Sequence, residues 1–235
     1  MQFTDRTLQQ EAGDPEVAVR WLAWRRAKRS GRPIVIVLGG APGTGKSTLA
    51  TRLAVRLNIT RVVTTDAIRD VLRTVIPDNV LPELHESTFE VVDPEAPDPF
   101  AGFIRQCNAV GAAAVAVADR LADEHRSLVV EGVHALPGAT TAALADHAAS
   151  PVVIERLIIQ TDAGEHAELL RRREAHEPLR RGGRHLARLD DIRRIQEHLI
   201  DHARSTGTTV MDGGEAGDLT QDIVDEIVRR LDEMT

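Results

Sequence analysis

The sequence predicts an α/β domain: an open parallel sheet of five strands with helices on both faces. Three observations point there. Short apolar runs near residues 34, 61, 127, 152 and 208 alternate with helix-patterned segments. The first run passes directly into a glycine-rich turn followed by a helix, and the third ends in an acid.

A chain of 235 residues can hold one such domain with a sizeable core, or two small ones. Hydrophobic content of 42% and charged content of 28% are ordinary for a globular chain. A net charge of −7 argues against a general nucleic-acid binder, and 3% aromatics with no Tyr leave little for base stacking. Cys107 is the single cysteine, which excludes a disulfide framework and a Cys-based metal site. Phe103, Ile104 and Val110 surround it at helical spacing, the setting of a buried small hydrophobe rather than a nucleophile. The N-terminus lacks the apolar core of a signal peptide. The alanine-rich run 109–118 is too short to span a bilayer. A cytoplasmic protein with no membrane and no nucleic-acid partner is expected.

Taken in order, residues 1–14 are polar. Val17, Val19, Trp21, Leu22 and Trp24 then sit among arginines, the pattern of an amphipathic helix over 15–29. Ser30-Gly31-Arg32-Pro33 stops it. Residues 1–32 are therefore expected to pack as a helix on the core, and 33–235 to form the domain.

The strand 34–38 leads into Gly40, Ala41, Pro42, Gly43, Thr44, Gly45, Lys46 and Ser47, followed by Thr48. This is the P-loop pattern G-x-x-x-x-G-K-[ST] in its strand–loop–helix setting. Glycines let backbone N–H groups converge on phosphate oxygens, and the following helix adds its positive end. Lys46 can reach the β- and γ-phosphates, and the Ser47 hydroxyl can ligate Mg²⁺. Lys28 and Lys46 are the only lysines in an arginine-rich chain, so a compact ammonium at Lys46 has a specific task. The expectation is a nucleoside-triphosphate site.

The second strand, 61–64, ends in Thr65-Asp66 and a helix over 67–75. Ligands of open α/β sheets lie at the carboxyl ends of strands, so Asp66 belongs beside the P-loop mouth. Asp66 also suits a helix N-cap, and both roles can hold together. Arg69, one turn on, faces the same mouth. Residues 77–99 carry five prolines and many acids, reading as an irregular excursion with one short helix near 83–89; His85 within it is weak evidence alone. A long Ala/Val-rich helix over 103–125 feeds the strand 127–132. Glu131 at its end reads as the acid a P-loop protein places near Mg²⁺ and the γ-phosphate. A helix over 137–149 and a strand over 152–160 follow. Residues 165–184 are densely basic, with Arg171, Arg172, Arg173, Arg180, Arg181 and Arg184. Most suit a solvated face, while one or two suit a lid over a transferring phosphoryl group. An amphipathic helix over 186–203, a strand over 208–211 and a helix over 219–231 complete a P-loop kinase-like fold with a helical, arginine-rich lid at about 162–206.

Four motifs then stand in order: Gly39-Gly40-Ala41-Pro42-Gly43-Thr44-Gly45-Lys46-Ser47-Thr48; Thr65-Asp66-Ala67-Ile68-Arg69 with Leu84-His85-Glu86-Ser87-Thr88; Val130-Glu131-Gly132-Val133-His134; and Ile192-Arg193-Arg194-Ile195-Gln196. Together they resemble the 2-phosphoglycerate kinase family over residues 33–230. The resemblance implies ATP-dependent phosphorylation of 2-phosphoglycerate to 2,3-bisphosphoglycerate, with ATP and Mg²⁺ as the groups required. It implies an acceptor site at Asp66 and Arg69, with His85, Ser87 and His134 nearby. It also implies a lid pattern His-x-x-Arg-Phe-x-x-Arg. Here that pattern is kept at His166 and Arg173, with Leu169 and Leu170 in place of the inner Arg and Phe.

The expected roles are Lys46 and the loop N–H groups as phosphate cradle and Ser47 as Mg²⁺ ligand. Glu131 acts through Mg²⁺, Asp66 as base or acceptor-orienting group, and Arg173 as lid cation. The alternatives are a kinase for another small acceptor, such as a sugar, inositol phosphate or nucleotide sugar (zeta-toxin-like), and an ATPase switch.

Overall fold

The structure is a computed structural model describing residues 31–176, 185–214 and 218–234. The expected helix over 15–29 and lid residues Arg180, Arg181 and Arg184 lie outside the described residues.

Ile34–Gly39 forms β1, an unbroken apolar run buried along its whole length. Such a run needs cover on both faces, as parallel strands have. Its neighbours are β3 (Leu128–Gly132) and β4 (Val152–Ile159), and β2 (Val62–Thr64) and β5 (Thr209–Asp212) form the edges. The order is β2-β3-β1-β4-β5, parallel throughout.

Alternate residues of β1 serve different layers. Ile34, Ile36 and Leu38 meet Leu49 and Leu53 of α1 (Lys46–Arg56) and Ile223 and Ile227 of α7 (Leu219–Glu233). Val35 and Val37 meet Ala114 and Ala118 of α3 (Ala101–Asp123), where small side chains let the helix lie close to the sheet. On the same side, Phe103 and Cys107 of α3 join Leu157, Ile159 and the apolar stripe Ile192, Ile195 and Leu199 of α6 (Leu189–Thr206). Each fully buried Leu or Ile in these layers contributes roughly 1.5–3 kcal/mol.

By length and composition alone, α3 could cross a membrane, being longer than the run 109–118 suggested. Here one stripe of it, including Phe103, Val110, Ala118 and Ala122, packs on the domain's own core.

Two expected helices are shorter. The excursion after α2 (Thr65–Val75) holds one 3-10 turn, Pro82–His85. It ends because Glu86 is extended and a new turn starts at Ser87, whose N–H donates to Glu90 Oε2 at 3.0 Å. The helix expected over 137–149 is α4, Ala139–Ala143. Its start is held by the buried Glu155 carboxylate, which accepts from the N–H groups of Thr140 and Thr141 and from the Thr141 hydroxyl. Thr140 is its only buried residue, so no apolar stripe extends it.

Candidate active site

The register of the central strands builds the site. Leu38 pairs with Glu131 and Gly39 with Gly132, so β1 and β3 end side by side. Thr64 of β2 pairs with Glu131 from the other side. Three connections therefore open on one mouth: the P-loop, the loop after Glu131, and the start of α2.

The P-loop conformation depends on its glycines. Gly40, Gly43 and Gly45 have φ of 144°, 82° and 84°. A Cβ on Gly40 would lie 2.2 Å from the Ile158 carbonyl, so the loop can hug β4 only as glycine. The Thr44 hydroxyl donates to the Ala41 carbonyl at 3.1 Å and the Lys46 ammonium to the same oxygen at 2.7 Å. Lys46 is buried, and burial pushes its ammonium down to about 8; Glu131 and Asp66 oppose that shift, and Arg173 adds to it. Glu131 is buried, and its Oε1 accepts from the Ser47 hydroxyl at 3.0 Å.

Thr64, not Asp66, caps α2, its hydroxyl accepting from Ala67 N–H. Asp66 sits in the first turn, its side chain 48% exposed, with Oδ1 3.9 Å from His134 Nδ1. His134 is completely buried. Its Nδ1 lies 3.1 Å from the Thr65 hydroxyl, and its Nε2 lies 3.0 Å from Gln106 Oε1 and 3.3 Å from the Thr88 hydroxyl. Burial holds the imidazole down at about 4; Asp66 opposes the shift, while Arg69 and Lys46 reinforce it. The ring is neutral near pH 7.

Lys46, Ser47, Asp66, Glu131 and His134 thus converge, with Arg173 of α5 (Ala163–His176) close enough to act on Lys46. Arg69 is partly committed to structure, donating from Nε to the Leu84 carbonyl (3.0 Å) and from its terminal nitrogen to that of Glu86 (2.6 Å). His85 Nε2 meets the Ile76 carbonyl at 2.9 Å, and the Ser87 N–H donates to Glu90, so both contacts hold the excursion's backbone.

Helix α5 grips the P-loop. His166 Nε2 donates to the Pro42 carbonyl at 2.7 Å. Leu170, fully buried, lies where a Cβ on Gly43 would come within 2.6 Å of it. The replacement of Phe by Leu at this position thus sits directly on the loop. In the last motif, Gln196 pins the end of β4, accepting from Gln160 N–H (2.9 Å) and donating to its carbonyl (3.0 Å). Arg193 donates to the Gln160 and Thr161 carbonyls.

Thr65 and Gln106 were not expected in the site. A cue existed for Gln106: it interrupts the apolar stripe of Phe103, Cys107 and Val110, where a polar residue needs a buried partner. A second surprise is Gly213 after β5, whose Cβ would lie 2.7 Å from the Thr44 carbonyl, bringing that loop against the P-loop.

With β3 inserted between β1 and β2, its terminal acid lies against the phosphate loop, while α2 opens beside it and a helix reaches over from β4. The protein is a phosphotransferase of the P-loop kinase class. Residues 36–196 match the family model described as "AAA domain". The 2-phosphoglycerate kinase of Pyrococcus furiosus is 34% identical over 229 residues, covering 95% of this chain and 74% of that protein. Those of Thermococcus kodakarensis and Methanocaldococcus jannaschii are each 32% identical, over 95% and 93% of this chain and 76% and 71% of theirs. The chain belongs to the 2-phosphoglycerate kinase family.

Among solved structures, a shikimate kinase from Acinetobacter baumannii aligns with a TM-score of 0.47 at 15% identity, covering 89% of this chain and 98% of that one.

Proposed function

We propose that this enzyme transfers the γ-phosphoryl group of ATP to the hydroxyl of 2-phosphoglycerate, giving 2,3-bisphosphoglycerate. The observation that carries this reading is the meeting of Ser47 and Glu131 at 3.0 Å under a buried Lys46, with Asp66 at the same mouth. The relatives named for this substrate support the choice of acceptor.

The residues fit a nucleotide polyphosphate. Lys46 is a buried cation that donates to the Ala41 carbonyl, and the glycines around it leave a cradle that a Cβ would obstruct. Ser47 and Glu131 present oxygen donors only, the set a hard divalent cation prefers. Mg²⁺, when bound there, neutralises phosphate charge. Lys46 and the loop N–H groups hold the phosphates in line. Asp66 orients the acceptor hydroxyl and takes its proton, Arg69 borders the acceptor, the buried His134 stands behind Asp66, and Arg173 adds positive charge over the transferred group.

A second reading, a kinase for another small acceptor, is favoured by Leu170. Where the resemblance expects an aromatic lid residue, the fully buried Leu170 packs on Gly43, so a smaller side chain supports the P-loop there and sets its place relative to the acceptor.

The test is ATP consumption with Mg²⁺ against 2-phosphoglycerate, 3-phosphoglycerate, sugars, inositol phosphates and nucleotide sugars, with products identified by mass. Turnover with 2-phosphoglycerate supports the first reading. Phosphorylation of a different acceptor alone replaces it with the second, and acceptor-independent hydrolysis refutes both in favour of an ATPase switch.

A further inference from the structure

Gln106 is fully buried in α3, and its amide has only one orientation that satisfies its surroundings. Its Nε2 faces two backbone carbonyls, those of Glu83 and of Glu86, the latter at 3.1 Å. An amide oxygen in that place would oppose acceptor to acceptor, so the nitrogen belongs there. The oxygen then faces His134 Nε2 at 3.0 Å and must receive a hydrogen from it. With its proton on Nε2 and the ring neutral, His134 has a lone pair at Nδ1, which accepts from the Thr65 hydroxyl at 3.1 Å. Asp66 follows Thr65 in the chain, and its carboxylate lies 3.9 Å from that same nitrogen.

We infer that Gln106 is a positioning residue for phosphoryl transfer: by taking the hydrogen of His134 Nε2, it keeps a lone pair rather than a proton facing Asp66. This rests on the reading of Asp66 as the group that orients the acceptor hydroxyl. A protonated Nδ1 would pair with the carboxylate and draw it from the acceptor. The charged groups that face the ring are Asp66 and Arg69 of α2 and Lys46 of the P-loop. One carboxylate set against two cations, together with burial, keeps the ring neutral.

The same amide ties Asp66 to the excursion. Glu86 O receives both Gln106 Nε2 and Arg69, so the start of α2, the excursion and α3 share one oxygen. Moving the excursion therefore disturbs the amide that sets the His134 tautomer. The excursion and the carboxylate are positioned as one unit.

The variant that separates this from a packing role is Gln106→Glu. A carboxylate accepting from Nε2–H stabilises the imidazolium that the amide disfavours. The first measurement is side-chain ¹⁵N NMR of His134 in the wild-type protein, assigned with His134→Gln. A neutral ring protonated at Nε2 from pH 8 to pH 5.5 is expected. A ring protonated at Nδ1, or one titrating near 6.5, overturns the inference without any variant having to fold.

The second measurement is kcat against pH with ATP, Mg²⁺ and the accepted substrate. The acid limb should move up by at least one pH unit in Gln106→Glu, together with the His134 titration. An unmoved acid limb overturns the inference. If the wild-type enzyme phosphorylates no acceptor at all, the kinase reading of Asp66 fails, and the NMR result still decides the tautomer separately.

Discussion

Ser47 donates its hydroxyl hydrogen to Glu131 across 3.0 Å, joining the first turn of α1 to the last residues of β3. The two residues are 84 positions apart, and the pairing of Gly39 with Gly132 brings them together. Glu131→Gln keeps the shape but removes the charge. Turnover should fall by about 10–100-fold, with a matching rise in the Mg²⁺ concentration needed for half-maximal rate. A Mg²⁺ titration of initial rates checks this, and an unchanged Mg²⁺ dependence would show that Glu131 does not act through the metal.

Lys46 gives nucleotide binding a pH dependence. Burial holds the free ammonium at about 8, and an incoming polyphosphate raises that value by opposite charge. Above pH 8 the free protein has lost the proton that the complex needs. Affinity should weaken by up to about tenfold per pH unit there and be flat below it. Calorimetry in two buffers of different ionisation enthalpy should show proton uptake at pH 9 and none at pH 7. Lys46→Ala should abolish the pH effect and lower turnover by orders of magnitude, leaving the fold intact.

Gly132 cannot carry a side chain without moving Thr65. Its φ is 146°, and a Cβ would lie 1.9 Å from the Thr65 hydroxyl oxygen. Gly132→Ala should cost about 1–3 kcal/mol and lower the melting temperature by about 2–4 °C per kcal/mol. Thr65→Ala in the same chain removes the worst contact but not the φ strain, so recovery should be partial. Thermal denaturation of the single and double variants measures both.

The buried His134 makes acid a denaturant. Burial lowers its folded pKa from 6.5 to about 4, so between those values the unfolded chain binds more protons than the native one. Stability is then fully present above pH 6.5 and is lost as pH falls towards 4, by at most on the order of 3 kcal/mol. Urea unfolding at pH 7 and pH 5 should show a smaller acid loss for His134→Gln than for the wild-type protein. Equal losses would assign the acid sensitivity to other groups.

The strands were legible because each is a short apolar run, and the parallel order followed from the helical segments between them. Residues 137–149 read as a helix, but only Thr140 is buried in the five-residue α4, and without an apolar stripe the turn stops. The P-loop could be read because its chemistry is local. Thr65 could not: its partner His134 is 69 residues away, and nothing near Thr65 announces it. Gln106 meets His134 across 28 residues, although its polarity on an apolar stripe marked it as needing a partner.

Cys107 provides a reporter that needs no engineering. It is the chain's single thiol, sealed on the α3 stripe, and burial pushes its pKa up. A thiol reagent can reach it only when that layer separates, so the labelling rate counts openings of the domain. Any small molecule that prefers the closed protein should slow that clock in proportion to its occupancy. Candidate acceptors could thus be ranked by how well they protect one sulfur, before any product is detected.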